Sequence, residues 1–263
     1  MAAETSYLFL LLLLLTPVLL LLLVLTLIVR PKSIKIPIKN RHVFITGGSS
    51  GIGLALAHQA ASQGAQVSIL ARNQEKLEQA RNSILLSTAV LPGMKKNRKD
   101  RGPGSIALMS SQAGQVGIYG YTAYAASKFG LRGLGEALQQ ELISENIHVS
   151  IICPPDTDTP GLVEENKGRP EVTKIIASSS GAMSADEVAQ KALNGIKSGT
   201  FIVPCNFEGL LLCLVTAGLS PQRSPLMAFV EVVTVGVLRV AALFFQWDWY
   251  GSIAKWSAQK KGT

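Results

Sequence analysis

Hydrophobic and polar positions follow three regimes along this chain. From Tyr7 to Val29 nearly every side chain is apolar, with only Thr16, Pro17 and Thr26 interrupting the run. A helix of that length crosses a hydrocarbon core of about 30 Å with some tilt. From His42 to Cys205, short β-branched runs alternate with helix-like stretches. Strands are predicted at 42–46, 65–71, 105–111, 148–153 and 201–204, and helices at 54–63, 74–87, 124–143 and 184–198. Strand and helix in alternation predict an α/β fold, a parallel sheet with helices on both faces. After residue 205 the chain turns apolar again. Gly209–Leu219 is too short to span a bilayer, whereas Leu226–Phe245 is long enough but holds Glu231 and Arg239.

These regimes predict four parts: an anchor (1–30), a linker (31–41), the α/β domain (42–205) and a tail (206–263). Trp247, Trp249, Tyr250 and Trp256, with lysines nearby, have the composition of an interfacial belt. The tail therefore reads as membrane-associated, either re-entrant or lying on the surface. A buried core helix or an oligomer contact is the competing reading, and it keeps a homo-oligomer among the expected partners.

Composition supports the membrane reading. Of the 263 residues 48% are hydrophobic and 16% charged, with a mean hydropathy of +0.30. Soluble domains carry about 25% charged residues, and so apolar a chain is not intrinsically disordered. The net charge of +8 is confined to a few places. Arg30, Lys32, Lys35, Lys39 and Arg41 stand without an acid among residues 30–42. Lys95, Lys96, Arg98, Lys99 and Arg101 face only Asp100, and Lys255, Lys260 and Lys261 end the tail. The remaining chain is mildly acidic. Basic flanks around an acidic body suit anionic lipid headgroups, not a nucleic-acid partner. A cleaved signal peptide would have a shorter apolar run preceded by positive charge, whereas this run is preceded by Glu4 alone and followed by Arg30-Pro31-Lys32. The positive-inside rule then places residues 30 onward in the cytosol. Cys153, Cys205 and Cys213 are too few for a disulfide framework, and His42, His58 and His148 lack metal-ligand spacing, so no metal is expected.

The strand at 42–46 runs directly into Gly47-Gly48-Ser49-Ser50-Gly51-Ile52-Gly53 and then a helix. Glycines there let backbone approach a pyrophosphate closely, and the helix N-terminus faces its charge. A plain tight turn is the alternative, but strand and helix stand where a dinucleotide fingerprint needs them. A chain built for NAD usually ends its second strand with an acid for the ribose 2′-hydroxyl. Here Arg72 stands in that place and Lys76 follows one turn later, so the expected cofactor is NADPH. The alternative is a solvated Arg72 opening the next helix.

Tyr124 and Lys128 lie four residues apart in an alanine-rich helical stretch, which stacks them on one face. A phenol of ordinary pKa near 10 exchanges protons poorly at neutral pH, and a nearby ammonium lowers that value. A serine ending the preceding strand can hydrogen-bond the reacting oxygen. Alone, such a pair is more often a surface feature.

Thr46-Gly47-x-x-x-Gly51-x-Gly53, Ser111 and Tyr124-x-x-x-Lys128 together resemble the short-chain dehydrogenase/reductase family, including the 13-residue interval from serine to tyrosine. The resemblance implies a Rossmann-like sheet and catalytic Ser111, Tyr124 and Lys128. Tyr124 would give a proton to a ketone, Lys128 would hold the ribose hydroxyls and lower the tyrosine pKa, and Ser111, with Ser110 as the alternative, would orient the carbonyl. It implies cofactor binding by Gly47, Ser49, Ser50, Gly51, Gly53, Arg72, Lys76, Tyr124 and Lys128. A narrower resemblance lies in Ser110–Gln115 and in Pro154-Pro155-Asp156-Thr157-Asp158-Thr159-Pro160-Gly161. With the leading anchor, these are similar to the 3-ketosphinganine (3-dehydrosphinganine) reductases of plants. That likeness implies a long-chain lipid ketone substrate, a place at the endoplasmic reticulum membrane and a catalytic domain facing the cytosol. Its loop 154–161 would cover the nicotinamide, although Asp156 and Asp158 can also be simple turn residues. An anchored reductase for another lipid ketone shares the same triad.

Only 77 residues separate Gly47 from Tyr124. Relative to the family, about 60 residues, two strand-helix units, are absent near 88–104. The family's adenine-contacting Asp, its Asn-Ala-Gly turn and its fourth catalytic residue, an Asn, have no counterpart; Asn97 stands in a different context. Two expectations follow: the serine strand slides beside the first strand to keep one sheet, or the chain is a catalytically silent relative that survives as a membrane-bound interaction protein.

Overall fold

The computed structural model describes residues 2–29, 34–70, 93–95, 102–177 and 180–261. The expected helix 74–87, Arg72, Lys76 and most of the basic loop lie outside the described residues.

An apolar helix α1 (Ala2–Val29) precedes the α/β body. The body begins with β1 (His42–Thr46), α2 (Gly51–Ser62) and β2 (Gln66–Leu70), followed by β3 (Gly104–Met109) and α3 (Thr122–Leu142). Then come β4 (Ile147–Cys153), β5 (Asp156–Asp158), α4 (Pro160–Lys167), α5 (Glu171–Ala177) and β6 (Ala182–Ser184). The chain finishes with α6 (Ala185–Ser198), β7 (Ile202–Pro204), α7 (Phe207–Val215) and α8 (Pro225–Lys261). Every strand pair among the described residues is parallel. β4 is buried at all seven positions, as an inner parallel strand covered on both faces must be. On one face Ile106, Leu108, Val149 and Ile151 pack against Leu138 and Leu142 of α3. On the other, Ile152 and Val203 pack against Val188 and Ala192 of α6. Ser184 caps α6 in a reciprocal box with Glu187, as the sequence pattern predicts.

The sheet is divided. β1 and β2 pair with each other, β3, β4 and β7 form a second group, and β5 pairs with β6. The expected closure of the serine strand onto β1 does not occur among the described residues. Helix packing takes its place. α2 lies against α6, tied by Gln59 Nε2 donating to the Asp186 carbonyl at 2.8 Å and Lys197 Nζ to Gln63 Oε1 at 3.0 Å. The β1–β2 pair is therefore joined to the rest of the body through helix packing, not through strand pairing with β3. Residues of both facing strands, among them Phe44, Ile45, Ile106 and Leu108, line one cavity of about 3220 Å³.

The start of the tail packs on the body, with Leu214 and Ala228 buried, whereas its long apolar stretch is not a buried core helix. α8 is one continuous helix of 37 residues, and its apolar part has a mean hydropathy of 2.1 with 6% of that window buried. By length and composition it is able to cross a membrane. α1 packs along it, and α7 packs at its start. Arg132 of α3 holds the α7 end by donating to the carbonyls of Thr216 and Ala217 and to Ser220 Oγ at 2.9 Å. Cys153, Cys205 and Cys213 are all free thiols.

Candidate active site

The catalytic candidates come together because β3 ends where α3 begins. Past Met109 the chain makes a single 3-10 turn, Gln112–Gly114, which Ser111 caps by accepting the Ala113 N–H at 3.2 Å. Gly114 is required there: a Cβ would lie 2.4 Å from Ser110 Oγ and 2.9 Å from the Lys128 carbonyl oxygen. The neighbouring serines are thereby given separate tasks. Ser110 is buried and donates to the Lys128 carbonyl at 3.1 Å, a structural bond. Ser111 is near enough to the Tyr124 phenol to pull its pKa down, against the rise caused by burial.

Lys128 reaches back from α3 and donates to the Met109 carbonyl at the end of β3, 3.1 Å away. Its ammonium lies 5.4 Å from the centroid of the Tyr124 ring. Burial dominates the electrostatics. It raises the Tyr124 phenol above its ordinary value, Ser111 pulls it back, and Glu165 and Asp156 add to the rise while Arg169 opposes it. This corrects the expectation that the Lys128 ammonium would leave the phenol lowered. Burial also lowers the Lys128 ammonium, against which Glu165 acts favourably.

The glycine-rich turn sits at the end of β1. Gly47 and Gly51 have φ of +71° and +54°, which suits glycine. At Gly53 a Cβ would lie 2.3 Å from the Gly47 carbonyl oxygen, and at Gly48 it would lie 2.4 Å from Ile69 Cγ2. Ser50, at the N-cap of α2, makes no side-chain capping bond. The first N–H groups of α2 are thus left for an anion at a site where only backbone can approach closely. These residues fit a dinucleotide pyrophosphate. Gly47 and Gly53 line the same cavity as Ser111, Tyr124 and Lys128; Ser49, Ser50 and Gly51 do not. Thr159 lies against Gly51, 3.0 Å from the position of a Cβ there, so loop 154–161 comes over the turn.

Other residues in this site escape sequence reasoning. Asp156 pairs with Arg169 at 2.5 Å, and the Arg169 side chain is only 4% exposed. The guanidinium stands 5.5 Å from the Tyr121 ring, which in turn packs 5.4 Å from Tyr124. Glu165 lines the cavity too. Tyr121 was within sight, three residues before Tyr124, but nothing in the Gly168-Arg169-Pro170 context marks Arg169 as a partner of the loop.

Residues 41–85 and 81–170 each match the short chain dehydrogenase family model. 3-Dehydrosphinganine reductase TSC10A of Arabidopsis thaliana is 53% identical over 300 residues, covering 89% of this chain and 92% of that one. The chain belongs to the short chain dehydrogenase family. TSC10B of the same plant is 48% identical, covering 90% of this chain and 91% of its own length. The mouse 3-ketodihydrosphingosine reductase is 31% identical, with 89% and 91% covered. Because 300 aligned positions correspond to 89% of 263 residues, about 66 positions of TSC10A have no counterpart here. That matches the two overlapping pieces of the family match and the divided sheet. The family's fold is also found in a short chain dehydrogenase from Burkholderia cenocepacia, solved in complex with NADP. It has a TM-score of 0.54 at 15% identity and covers 70% of this chain and 95% of that one. Like its family, this chain is an oxidoreductase built around a nicotinamide cofactor.

Proposed function

We propose that this protein reduces 3-ketosphinganine to sphinganine with NADPH, at the endoplasmic reticulum membrane and with its α/β body in the cytosol. The observation that carries the reading is the Ser111–Tyr124–Lys128 arrangement, set in one cavity with Gly47 and Gly53. It occurs in a chain 53% identical to a 3-dehydrosphinganine reductase. Arg72 and Lys76 support the choice of NADPH through their charge and place in the sequence. Residues 1–30 and the apolar helix α8 supply the membrane attachment, and 42–205 the catalytic body.

When bound, the nicotinamide cofactor supplies a hydride to the carbonyl carbon. Tyr124 donates its phenolic proton to the carbonyl oxygen, so the ketone becomes an alcohol with atoms and charge balanced. Ser111 hydrogen-bonds that oxygen as negative charge develops on it. Lys128, held by the Met109 carbonyl, keeps a cation beside the phenol and presents it to the ribose hydroxyls. The raised pKa keeps Tyr124 protonated at neutral pH but makes it a weaker acid, an effect that Ser111 partly offsets.

A second reading, a catalytically silent membrane-bound relative, is favoured by one observation: β1 and β3 are not joined. One assay separates the two. Membranes containing the protein are expected to oxidise NADPH when given 3-ketosphinganine, and Tyr124→Phe should abolish that turnover. No turnover here, together with activity in a form carrying the 66 absent positions, would establish the silent relative.

A further inference from the structure

The catalytic cavity has a wall that belongs to the membrane-spanning candidate. Leu238, Ala241, Ala242, Phe245, Trp249 and Ile253 of α8 line the same cavity as Ser111 and Tyr124. Ala241 and Ala242 are adjacent and the other steps are three or four residues, which keeps all six within about a third of the helix circumference, a single face. Arg239, Gln246 and Tyr250, which also line the cavity, fall along one margin of that face. From Leu238 to Ile253 the stripe extends about 22 Å along the helix. One lipid chain occupies about 15 Å, half the hydrocarbon core, when it stands in its leaflet. The stripe is therefore long enough to receive a whole long-chain tail.

Two further features frame this wall. The same cavity is lined by Val116 and Ile118 of the loop after the serine turn and by Leu211, Leu212 and Val215 of α7. Trp256, one turn beyond the stripe, meets Tyr119 of that loop edge-on, with ring centroids 5.7 Å apart. This contact ties α8 to the polypeptide that leads into Tyr121 and Tyr124. On the reverse side of α8, Val237, Phe244 and Trp247 are 74%, 67% and 76% exposed. Phe245, on the cavity side, is 61% exposed as well, so the shared cavity lining and not burial distinguishes the two apolar faces of the helix.

We infer that the α8 stripe is the tail-binding wall of the active site. It receives the single acyl chain of the lipid ketone, which enters sideways past α8 while its carbonyl reaches Tyr124. The inference rests on the proposed reductase reading for the identity of the ketone, and on continuity of the cavity for the place of the tail. Ala241 and Ala242 provide the room, because alanine is the smallest side chain that keeps the helix intact. α8 is accordingly a specificity element in addition to an attachment.

Full-length protein in phosphatidylcholine vesicles provides the test, with 3-ketosphinganine and an eight-carbon analogue of it compared as substrates. Ala242→Trp should lower the long-to-short ratio of kcat/KM at least tenfold. A tenfold change corresponds to about two methylenes withdrawn from an apolar wall. Val237→Trp, on the outward face, should leave the ratio unchanged. An unchanged ratio in Ala242→Trp overturns the inference while leaving the reductase reading intact. A second measurement needs no turnover: a long-chain ketone carrying a diazirine near its chain end is photolysed in the vesicles. Label on the stripe that unlabelled 3-ketosphinganine displaces supports the inference. Label confined to Val237, Phe244 and Trp247, or not displaced, overturns it. Failure of the parent protein to turn over either ketone would count against the proposed function, and the label pattern would then decide the tail wall by itself.

Discussion

The Lys128 ammonium lies 5.4 Å from the centre of the Tyr124 ring and donates a 3.1 Å hydrogen bond to the Met109 carbonyl. The lysine thereby joins the catalytic helix to the end of the serine strand while keeping its charge near the phenol. Two links of the site, strand position and phenol environment, depend on one side chain.

The three residues of this arrangement should fail differently when removed. Tyr124→Phe loses the proton donor and should reduce turnover of 3-ketosphinganine by roughly 100- to 10,000-fold. Ser111→Ala loses one donor to the developing oxyanion and should cost roughly 100- to 1,000-fold in kcat. Lys128→Met should reduce kcat and also lower the melting temperature, since the Met109 carbonyl loses its partner. Single-turnover NADPH oxidation and thermal unfolding, measured on the same preparations, check these expectations. Equal melting temperatures for all three variants would contradict the structural role of Lys128.

The pH profile carries a sign. If Tyr124 is the acid proposed above, activity in the reductive direction should fall as pH rises through its pKa. Burial raises that pKa, with Glu165 and Asp156 adding to the rise and Ser111 and Arg169 opposing it. Glu165→Gln removes one of the raising charges, so the alkaline limb of kcat/KM for 3-ketosphinganine should move to lower pH. Glu165→Asp, which keeps the charge, should restore the limb toward its original position. A limb unmoved by Glu165→Gln would remove Glu165 from the electrostatics of the phenol.

Local patterns were legible in the sequence and long-range ones were not, for identifiable reasons. Gly47–Gly53 follows a strand end directly, and Tyr124 and Lys128 share one helix turn, so these groupings are local, although the resemblance to the family and not the spacing joins them to Ser111 as a proposed catalytic set. The Ser184–Glu187 box is equally local. The joining of the β1–β2 pair to the rest of the body depends instead on the α2–α6 interface, where Gln59 and Lys197 meet partners more than 120 residues away. Arg169 and Asp156 come from a helix end and a loop with no periodic relation between them. The direction of the phenol's shift is not readable from the Lys128 charge, because burial and Glu165, which raise it, are set by the fold. α8 was recognisable as apolar, yet a face of it lining the catalytic cavity is a tertiary fact.

Cofactor binding should be sensitive to a single methyl group. A Cβ on residue 53, fixed in place by the α2 backbone, would fall 2.3 Å from the Gly47 carbonyl oxygen, itself backbone. Neither can yield without moving the turn away from the α2 N-terminus. Gly53→Ala should therefore raise the Kd for NADPH at least tenfold, about 1.4 kcal/mol. Overpacking should cost about 1–3 kcal/mol of stability as well. Fluorescence titration with NADPH checks the first, and urea unfolding the second. An unaltered Kd would show that this turn does not hold the cofactor.

The Asp156–Arg169 pair yields an asymmetric prediction. The Arg169 side chain is 4% exposed and that of Asp156 29%, so the cation is the more deeply buried partner. Asp156→Asn leaves a desolvated guanidinium without its counter-charge. Fully buried pairs lose about 3–5 kcal/mol in that situation; the partial exposure of Asp156 brings the expected loss nearer 2 kcal/mol. Arg169→Met removes the buried charge itself and fills its place with apolar atoms, while the surviving carboxylate retains access to water. It should therefore cost less than Asp156→Asn. Because Asp156 lies two residues past Pro154 in the loop that rests on the glycine-rich turn, Asp156→Asn should also loosen residues 154–161. Hydrogen exchange at Thr157 and Asp158, whose strand pairs with β6, would report that loosening. The order of the two variants in urea unfolding decides the argument: if Arg169→Met is the more destabilised, the pair stabilises the fold through the guanidinium's packing and not through relief of its buried charge.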